Sequence, residues 1–293
     1  MKFPWNKYKE LPLKRRNTLQ IFITNRCNMK CKGCFARNVM GEDNQDISLE
    51  EYKRVVADFI QKEGRQINLL GGEPLLHPKL MEIIEINKSH NLKTTIYTNG
   101  QAFGCYYRDD LKDAKIRVSI YSYKGRGKDK SCLSIPVGHS DYSRFDFDGN
   151  FMVSSTTTLK DLKMAAVRCE FTYRCKVFFI SSLRELDNDR QEFFDDTDLT
   201  MPVLQYKELV HDFLNEYDGD MEIHVSKRGV FESTTSQCGN KCKFANYFIG
   251  GKIIQCPYDV VNEKYQDNYE FDKRYCQHNS SCLMSKVKYR RKK

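Results

Sequence analysis

Hydrophobic residues in the first half of the chain follow two periods, one typical of buried strands and one typical of helices. Short apolar runs predict four strands, at residues 19–24, 67–70, 93–98 and 116–122. The first two connections between these runs carry apolar residues at helical spacing. Strands and helices that alternate in this way predict right-handed crossovers and a parallel sheet, so this half of the chain is expected to be α/β.

Boundary signals support both predicted helices. The capping-box sequence Ser48-Leu49-Glu50-Glu51 opens the first helix, and Gly64 is expected to end it. The second helix is predicted from about Pro78 to Asn91. Beyond residue 122 the pattern is weaker, and it predicts three strands and one helix, at residues 151–158, 175–181, 221–226 and 206–217 respectively.

Composition and charge narrow the class of protein. Apolar residues make up 40% of the 293 residues, which is enough for a globular core. No segment has the apolar length of a signal peptide or a membrane span, so we expect a cytoplasmic protein that makes no membrane contact. Because thiols stay reduced in that compartment, the 12 cysteines favour metal binding over disulfides.

The net charge of +9 is concentrated at the two ends of the chain. Residues 286–293 carry six basic and no acidic residues, and residues 1–16 carry six basic residues against one glutamate. The rest of the chain is therefore close to neutral. Solvated tails are the favoured interpretation, and contact with RNA or another polyanion is the less favoured one.

Three cysteines lie close together directly after the first predicted strand. Cys27, Cys31 and Cys34 form a CxxxCxxC pattern on the loop at the strand's carboxyl end, where parallel α/β barrels assemble their sites. Three thiolates can bind a metal or an iron-sulfur core and leave one coordination position open. A structural zinc site would need a fourth ligand, and the nearest downstream candidate, His77, is interpreted as a loop histidine.

Two further loops are rich in glycine and polar residues. Gly71-Gly72-Glu73-Pro74 follows the second predicted strand, and Thr98-Asn99-Gly100 follows the third. Glycines let a backbone approach a ligand closely, and Glu73 offers a carboxylate to an ammonium group. Because the carboxyl ends of parallel strands meet at one edge of a sheet, all three loops are expected to converge on one rim.

In this order the three motifs resemble those of the radical S-adenosylmethionine (radical SAM) superfamily. The resemblance is strong over residues 17–122 and looser over the next hundred residues. It implies that Cys27, Cys31 and Cys34 hold a 4Fe-4S cluster whose fourth iron is chelated by S-adenosylmethionine.

The resemblance also implies a cofactor site on the neighbouring loops. Backbone at Gly71 and Gly72, together with Glu73, would hold the methionine amino group. Asn99 and Ser119 would meet the ribose or the carboxylate. Many members place an aromatic residue just before the third cysteine, against the adenine. Here Gly33 stands in that position, and the aromatic residue Phe35 follows the cysteine instead.

The chemistry implied by the resemblance begins with one electron from the reduced cluster. Transfer of this electron cleaves S-adenosylmethionine to methionine and a 5′-deoxyadenosyl radical, which takes a hydrogen atom from the substrate. The protein binds and orients the reactants and excludes water from them. The sequence identifies no catalytic side chain. The implied partners are an electron donor such as a flavodoxin or ferredoxin and an unidentified substrate, whether a peptide, a sugar or another small molecule.

The C-terminal cysteines carry a second resemblance. Cys242, Gly251 and Cys256 are spaced as in the opening hairpin of the SPASM and Twitch extensions of radical SAM enzymes, which carry auxiliary clusters. The count implies one auxiliary 4Fe-4S cluster, with a zinc ribbon as the alternative. Its four ligands would come from five cysteines, of which the first is the least favoured: Cys238, Cys242, Cys256, Cys276 and Cys282.

Together these observations predict an α/β protein with two parts. Residues 1–230 would form a partial parallel (β/α)6 TIM-like barrel that carries the radical SAM site. Residues 231–293 would form a small C-terminal cysteine-rich iron-sulfur module with a basic tail. A zinc-stabilised nucleic-acid-binding protein without enzymatic activity is the alternative from a different class. The remaining cysteines, interpreted as buried or incidental thiols, are Cys105, Cys132, Cys169 and Cys175.

Overall fold

The fold is taken from a computed structural model of the chain. It describes residues 8–10, 18–29, 45–121, 145–182, 201–226, 246–249, 252–254 and 286–289. Several residues singled out in the sequence lie outside these ranges, namely Cys31, Cys34, Phe35, Cys132 and the five C-terminal cysteines.

Eleven strands of the described ranges form a single sheet. In chain order they are β1 (Tyr8–Glu10), β2 (Thr18–Thr24), β3 (Gln66–Gly71), β4 (Lys93–Thr98), β5 (Ala114–Tyr121), β6 (Phe147–Val153), β7 (Val177–Ser182), β8 (Glu222–Ser226), β9 (Asn246–Ile249), β10 (Lys252–Ile254) and β11 (Lys286–Tyr289). Across the sheet the order is β1-β11-β8-β7-β6-β5-β4-β3-β2-β9-β10.

Four α-helices connect or flank these strands within the same ranges. They are α1 (Leu49–Gln61), α2 (Leu80–Ser89), α3 (Leu159–Val167) and α4 (Val203–Glu216). None of them combines the length and the apolar character that a membrane crossing requires.

The centre of the sheet is parallel, and the helices pack on one of its faces. Strands β2 to β8 lie side by side in chain order, and each pairs in parallel with the next. Asn87 of α2 donates to Thr94 of β4 at 3.1 Å, and Phe213 of α4 packs against Phe178 of β7. This arrangement confirms the predicted α/β fold with a parallel sheet.

The opposite face of the central sheet is polar. Its buried side chains include Gln20, Asn68, Thr95, Asp148, Ser181 and His224. These residues alternate along their strands with apolar residues of the helix-covered face. A barrel-like curve would bury such a face around a central space. The partial barrel itself stays a prediction.

The predicted strand at residues 151–158 is wrong in its second half. Strand β6 ends at Val153, and the residues after it turn into α3. The Ser154 backbone N–H donates to the Thr157 hydroxyl at 2.9 Å, and Thr158 and Asp161 form a capping box at the start of α3. A run of Ser and Thr therefore bonds its own backbone here instead of continuing the strand.

The C-terminal strands join the main sheet at both of its sides. Strands β9 and β10 form an antiparallel hairpin between Cys242 and Cys256, where the sequence pattern indicated one, and β9 pairs in parallel with β2. Strand β11, part of the basic segment interpreted as a solvated tail, pairs with β8 and β1 instead. The division into domains at residue 230 stays a prediction.

The end of α1 differs from the prediction by one residue. Glu63 takes the left-handed conformation, with φ of 61°, and Gly64 does not. Gly64 is instead required by space, because a Cβ atom there would lie 2.3 Å from the ring of the buried Phe59.

This arrangement predicts opposite effects for substitutions at adjacent positions. Gly64→Ala is expected to lower the free energy of unfolding by about 1–3 kcal/mol, because the Phe59 ring must move. Glu63→Gly is expected to raise it by up to about 1 kcal/mol, because glycine adopts a positive φ without strain. Chemical denaturation of both variants measures the two signs, and a stable Gly64→Ala variant would contradict the packing.

Candidate functional site

The three motif loops meet at the carboxyl ends of β2, β3 and β4. The cysteine loop starts directly after β2, and Cys27 lies exposed on it. Gly71 ends β3, and Thr98 ends β4. The sequence predicted this juxtaposition, and the described residues show how it is built.

Gly71 and Gly72 pack against the protein's own backbone. A Cβ atom at Gly71 would lie 2.2 Å from the carbonyl oxygen of Thr24, and one at Gly72 would lie 2.3 Å from that of Arg26. The Gly72 N–H donates to Thr24 O and the Glu73 N–H donates to Arg26 O, each at 2.8 Å. The two glycines therefore let β3 lie directly against the segment that leads into Cys27.

Glu73 is fully buried and joins two of the loops. Its Oε1 accepts hydrogen bonds from the Thr98 hydroxyl at 2.6 Å and from the Leu75 N–H at 3.0 Å. Its Oε2 accepts one from the Asn99 N–H at 2.7 Å. A buried carboxylate needs such donors, so the position of the Thr98-Asn99 backbone is tied to that of Glu73.

The ionisation of Glu73 is set mainly by burial. Burial raises the pKa of the Glu73 carboxyl to about 7, against the lowering effect of its three hydrogen bonds. The carboxyl group therefore titrates close to neutral pH.

Asn99 joins the third loop to the other two. Its side-chain amide donates to the Asn28 side-chain oxygen at 2.8 Å, and Asn28 lies directly after Cys27. Its own side-chain oxygen accepts from the Gln101 N–H at 2.9 Å. Asn99 therefore fixes the start of the cysteine loop against the loop after β4.

A second set of contacts closes the two ends of the cysteine loop. The Asn25 N–H donates to Gln45 O at 3.0 Å, and the guanidinium of Arg26 pairs with both carboxylate oxygens of Asp46. Bidentate pairs of this kind fix geometry as well as distance. The segment before Cys27 and the segment returning at residue 45 are thus held side by side.

His77 is used within the fold, in agreement with its interpretation as a loop histidine. Its Nδ1 accepts from the Lys79 N–H at 3.0 Å, which leaves Nε2 to donate to Ile47 O at 3.2 Å. Burial lowers the pKa of the imidazole, which favours this neutral form.

The other predicted residues are less closely connected. Ser119 lies on β5, half-buried and opposite Asn150 of β6, and takes no part in the bonds around Glu73. Cys169 and Cys175 are buried beside one another, and burial raises the pKa of the Cys169 thiol. Cys105 is exposed.

The sequence analysis missed the residues that tie the loops together. Asn28 lies within the cysteine motif, but its amide partner is 71 residues away. Arg26 and Asp46 are 20 residues apart and belong to no shared motif. The only available signal was their place beside CxxxCxxC and before the first helix.

Comparison with known proteins finds a family model that matches part of the chain. Residues 21–120 match the sequence model of the Radical SAM superfamily. Over this segment the chain is similar to the radical SAM superfamily. The matched residues include the second half of β2, all of β3 and β4, and all three motif loops.

Curated relatives match about a third of the chain. GTP 3',8-cyclase from Acidothermus cellulolyticus is 37% identical over 109 residues, which cover 34% of this chain and 29% of that protein. GTP 3',8-cyclase from Brucella ovis is 33% identical over 106 residues, which cover 34% of this chain and 30% of that protein. The match thus spans less than a third of the length of these relatives.

Solved structures resemble a larger share of the chain. SuiB from Streptococcus suis, bound to its precursor peptide SuiA, has a TM-score of 0.64 at 15% identity and covers 86% of this chain and 62% of that one. Native anSMEcpe with bound AdoMet and Cp18Cys peptide has a TM-score of 0.50 at 15% identity and covers 85% of this chain and 78% of that one. At these identities the likeness shows the fold.

The glycine contacts predict a sensitive position. Gly71→Ala is expected to lower the free energy of unfolding by about 2–4 kcal/mol and to reduce iron uptake, because the new methyl group meets Thr24 O and φ is 153°. Gly104→Ala is the matched control, since no atom lies within 4 Å of its added Cβ. Denaturation and iron analysis after reconstitution measure both effects. Equal stability and iron content in the two variants would contradict the close approach of Gly71 to Thr24 O.

Burial of Glu73 predicts a pH-dependent stability. Because its pKa in the folded protein, about 7, exceeds the ordinary value of 4.5, the folded state holds a proton that the unfolded chain releases between these values. The free energy of unfolding is therefore expected to fall by about 2–3 kcal/mol from pH 5 to pH 8 through this group.

Denaturation across this pH range tests the prediction by difference. The fall in the free energy of unfolding that Glu73 causes should be missing in Glu73→Gln. It should be present in Glu85→Gln, which removes an exposed glutamate. Parallel profiles for the native protein and Glu73→Gln would show that Glu73 does not titrate in this window.

Proposed function

We propose that this protein is a radical SAM enzyme that reductively cleaves S-adenosylmethionine and uses the 5′-deoxyadenosyl radical to abstract a hydrogen atom from its substrate. The match of residues 21–120 to the model of the Radical SAM superfamily supports the proposal. The observation that carries it is the bonding of three separate motif loops to one another around Glu73 and the two glycines. A set of motifs without a common function would need no such arrangement.

The described residues fit an iron-sulfur ligand. Cys27 is exposed at the carboxyl end of β2, and its Sγ lies 3.4 Å from the Met29 N–H, which donates to it. Hydrogen bonds to cysteine sulfur are among the features that tune iron-sulfur clusters. In the proposed site Cys27, Cys31 and Cys34 hold the cluster, which when bound supplies the electron for cleavage and leaves one iron for S-adenosylmethionine.

The remaining groups of the site bind and orient S-adenosylmethionine and exclude water. We propose that backbone groups at Gly71 and Gly72 hold the methionine amino group, with Glu73 behind them as the group that sets their position. Asn99, whose side chain contacts Asn28 in the cysteine loop, is then the candidate to meet the ribose or the carboxylate. Ser119 and Phe35 are the further candidates, for the ribose or carboxylate and for the adenine.

We also propose an auxiliary cluster in the C-terminal region. The antiparallel hairpin between Cys242 and Cys256 supports a Twitch-like arrangement, with two of Cys238, Cys276 and Cys282 as the remaining ligands. The proposal predicts about eight irons per chain after reconstitution and about four in a Cys242→Ala/Cys256→Ala variant. Four irons in the native protein, with one zinc, would favour the zinc ribbon instead.

The partners follow from the reaction. A low-potential cluster needs a one-electron donor of the flavodoxin or ferredoxin class. The relatives do not agree on a substrate, because the curated ones are named for GTP and SuiB was solved with a peptide. A peptide, a sugar and another small molecule all remain candidates.

The direct test is anaerobic cleavage of S-adenosylmethionine without substrate. The reconstituted native protein, reduced with dithionite, is expected to form 5′-deoxyadenosine, which mass spectrometry quantifies. A variant with Cys27, Cys31 and Cys34 changed to Ala should form none, while Cys105→Ala, which removes another exposed thiol, should retain the activity.

The controls decide between the two classes of function. No product from the native protein, together with zinc in place of iron, would contradict the proposal. It would favour the zinc-stabilised nucleic-acid-binding protein.

A further inference from the structure

One arginine lies on the polar face of the sheet with its orientation fixed. Nη1 of Arg117 on β5 donates to the Tyr97 hydroxyl at 2.8 Å. Its guanidinium carbon lies 3.8 Å from the ring centroid of Phe179, so the ring covers one face of the group. Only 15% of the Arg117 side chain is exposed. Cation–π contact and the hydroxyl hold the guanidinium in place without neutralising it.

The nearest carboxylate does not neutralise Arg117 either. Oδ2 of Asp148 lies 3.8 Å from Nη2 of Arg117 but only 2.8 Å from Nζ of Lys115. These three side chains together carry one net positive charge. Glu222, another acidic residue on this face of the sheet, contacts His224. A buried cation with incomplete pairing favours an anion beside it.

One edge of the guanidinium has donors without hydrogen-bond partners in the part of the chain that the structure describes. Within the described ranges, Nε of Arg117 is buried and has no hydrogen-bond partner, and Nη2 has only the distant Asp148 oxygen. The Nε and Nη2 donors of an arginine form the fork that binds carboxylate or phosphate through two parallel bonds. The edge that lacks partners is thus the one suited to an oxyanion.

Arg117 lies next to the site described above. Its partner Tyr97 lies on β4 near the end of the strand, two residues before Asn99, which directly follows β4. Two residues span about 7 Å along a strand. The guanidinium is therefore about one layer of side chains away from the Asn99–Asn28 contact at the cysteine loop.

We propose that Arg117 binds an anionic group, a carboxylate or a phosphate, of the enzyme's substrate. Tyr97 and Phe179 hold the guanidinium, and Asp148 sets its affinity by competing for the same charge. The proposal rests on the proposed function in that the occupant is the molecule from which hydrogen is abstracted. It assigns the substrate class by charge and makes Arg117 a specificity-determining residue.

The test measures anion binding separately from catalysis. The reconstituted protein, both without S-adenosylmethionine and saturated with it, is titrated by calorimetry with inorganic phosphate and separately with acetate, at constant ionic strength. Arg117→Gln is expected to raise the Kd of the bound anion about tenfold or more. Arg117→Lys should raise it less, because lysine keeps the charge but lacks the fork.

Two further variants separate this role from a structural one. Asp148→Asn is expected to tighten anion binding several-fold, because it removes the competing charge. Arg54→Gln, which removes an exposed arginine on α1, should leave the Kd within twofold of the native value. If the Arg117–Asp148 pair were purely structural, Arg117→Gln and Asp148→Asn would not change the affinity for the anion in opposite directions. Asp148→Asn and Arg117→Lys also keep the test decisive if Arg117→Gln fails to fold.

The outcomes identify the anion and its source. Binding of phosphate but not acetate, or the reverse, names the group that the substrate carries. The proposal is overturned by equal affinity in the native protein and Arg117→Gln, by the absence of saturable binding to either anion, or by anion binding that S-adenosylmethionine abolishes, since Arg117 would then hold the cofactor's own carboxylate. Arg117-dependent binding without 5′-deoxyadenosine formation would instead remove the proposed reaction and leave the anion site.

Discussion

The buried carboxylate of Glu73 is the constraint on which the site depends. A carboxylate with no access to water needs donors, and those available are the Leu75 and Asn99 backbone amides and the Thr98 hydroxyl. Meeting that need fixes the loop after β4 relative to the loop after β3. Because the donors to Glu73 lie on both loops, their hydrogen bonds set the position of one loop relative to the other.

The glycines before Glu73 extend the same constraint to the cysteine loop. They bring the β3 backbone within hydrogen-bond distance of Thr24 and Arg26, which any side chain at these positions would prevent. Asn99 then contacts Asn28 from the other side. Three loops distant in sequence are therefore positioned by backbone contacts and the buried Glu73, together with the exposed contact between Asn99 and Asn28.

The two faces of the sheet differ in the side chains that they carry. One face packs Ile, Val, Leu and Phe against the helices and supplies the core. The other carries buried polar groups, among them Asp148 and Asn68, which add little hydrophobic stability. Residues such as Arg117 are retained on that face although a packed apolar core would tolerate them poorly. This is the expected distribution when one face of a sheet surrounds a ligand.

Much of the fold could be predicted from the sequence because hydrophobic periodicity is a local signal. Strand β4 was predicted at its observed bounds, and Ser48 caps α1 as expected. The strand predicted through residue 158 failed because Ser and Thr bonds to the backbone compete with pairing, which periodicity does not register. At the end of α1, packing of Phe59 decided which of two residues had to be glycine.

The site was predictable only as far as its motifs. CxxxCxxC, GGEP and TNG indicated where chemistry would lie, but they did not show that Gly71 and Gly72 approach the protein's own backbone. The group formed by Tyr97, Arg117 and Asp148 depends on the register of three neighbouring strands. Register is a property of the assembled sheet, and a single strand that alternates polar and apolar residues does not reveal it.

The central claim is that these loops form one site in which S-adenosylmethionine meets the cluster held by Cys27, Cys31 and Cys34. Electron paramagnetic resonance of the dithionite-reduced protein, recorded with and without S-adenosylmethionine, tests this contact most directly. The account predicts a reduced 4Fe-4S signal whose g values change when S-adenosylmethionine is added. A signal that S-adenosylmethionine leaves unchanged, from protein with full iron content, would contradict it.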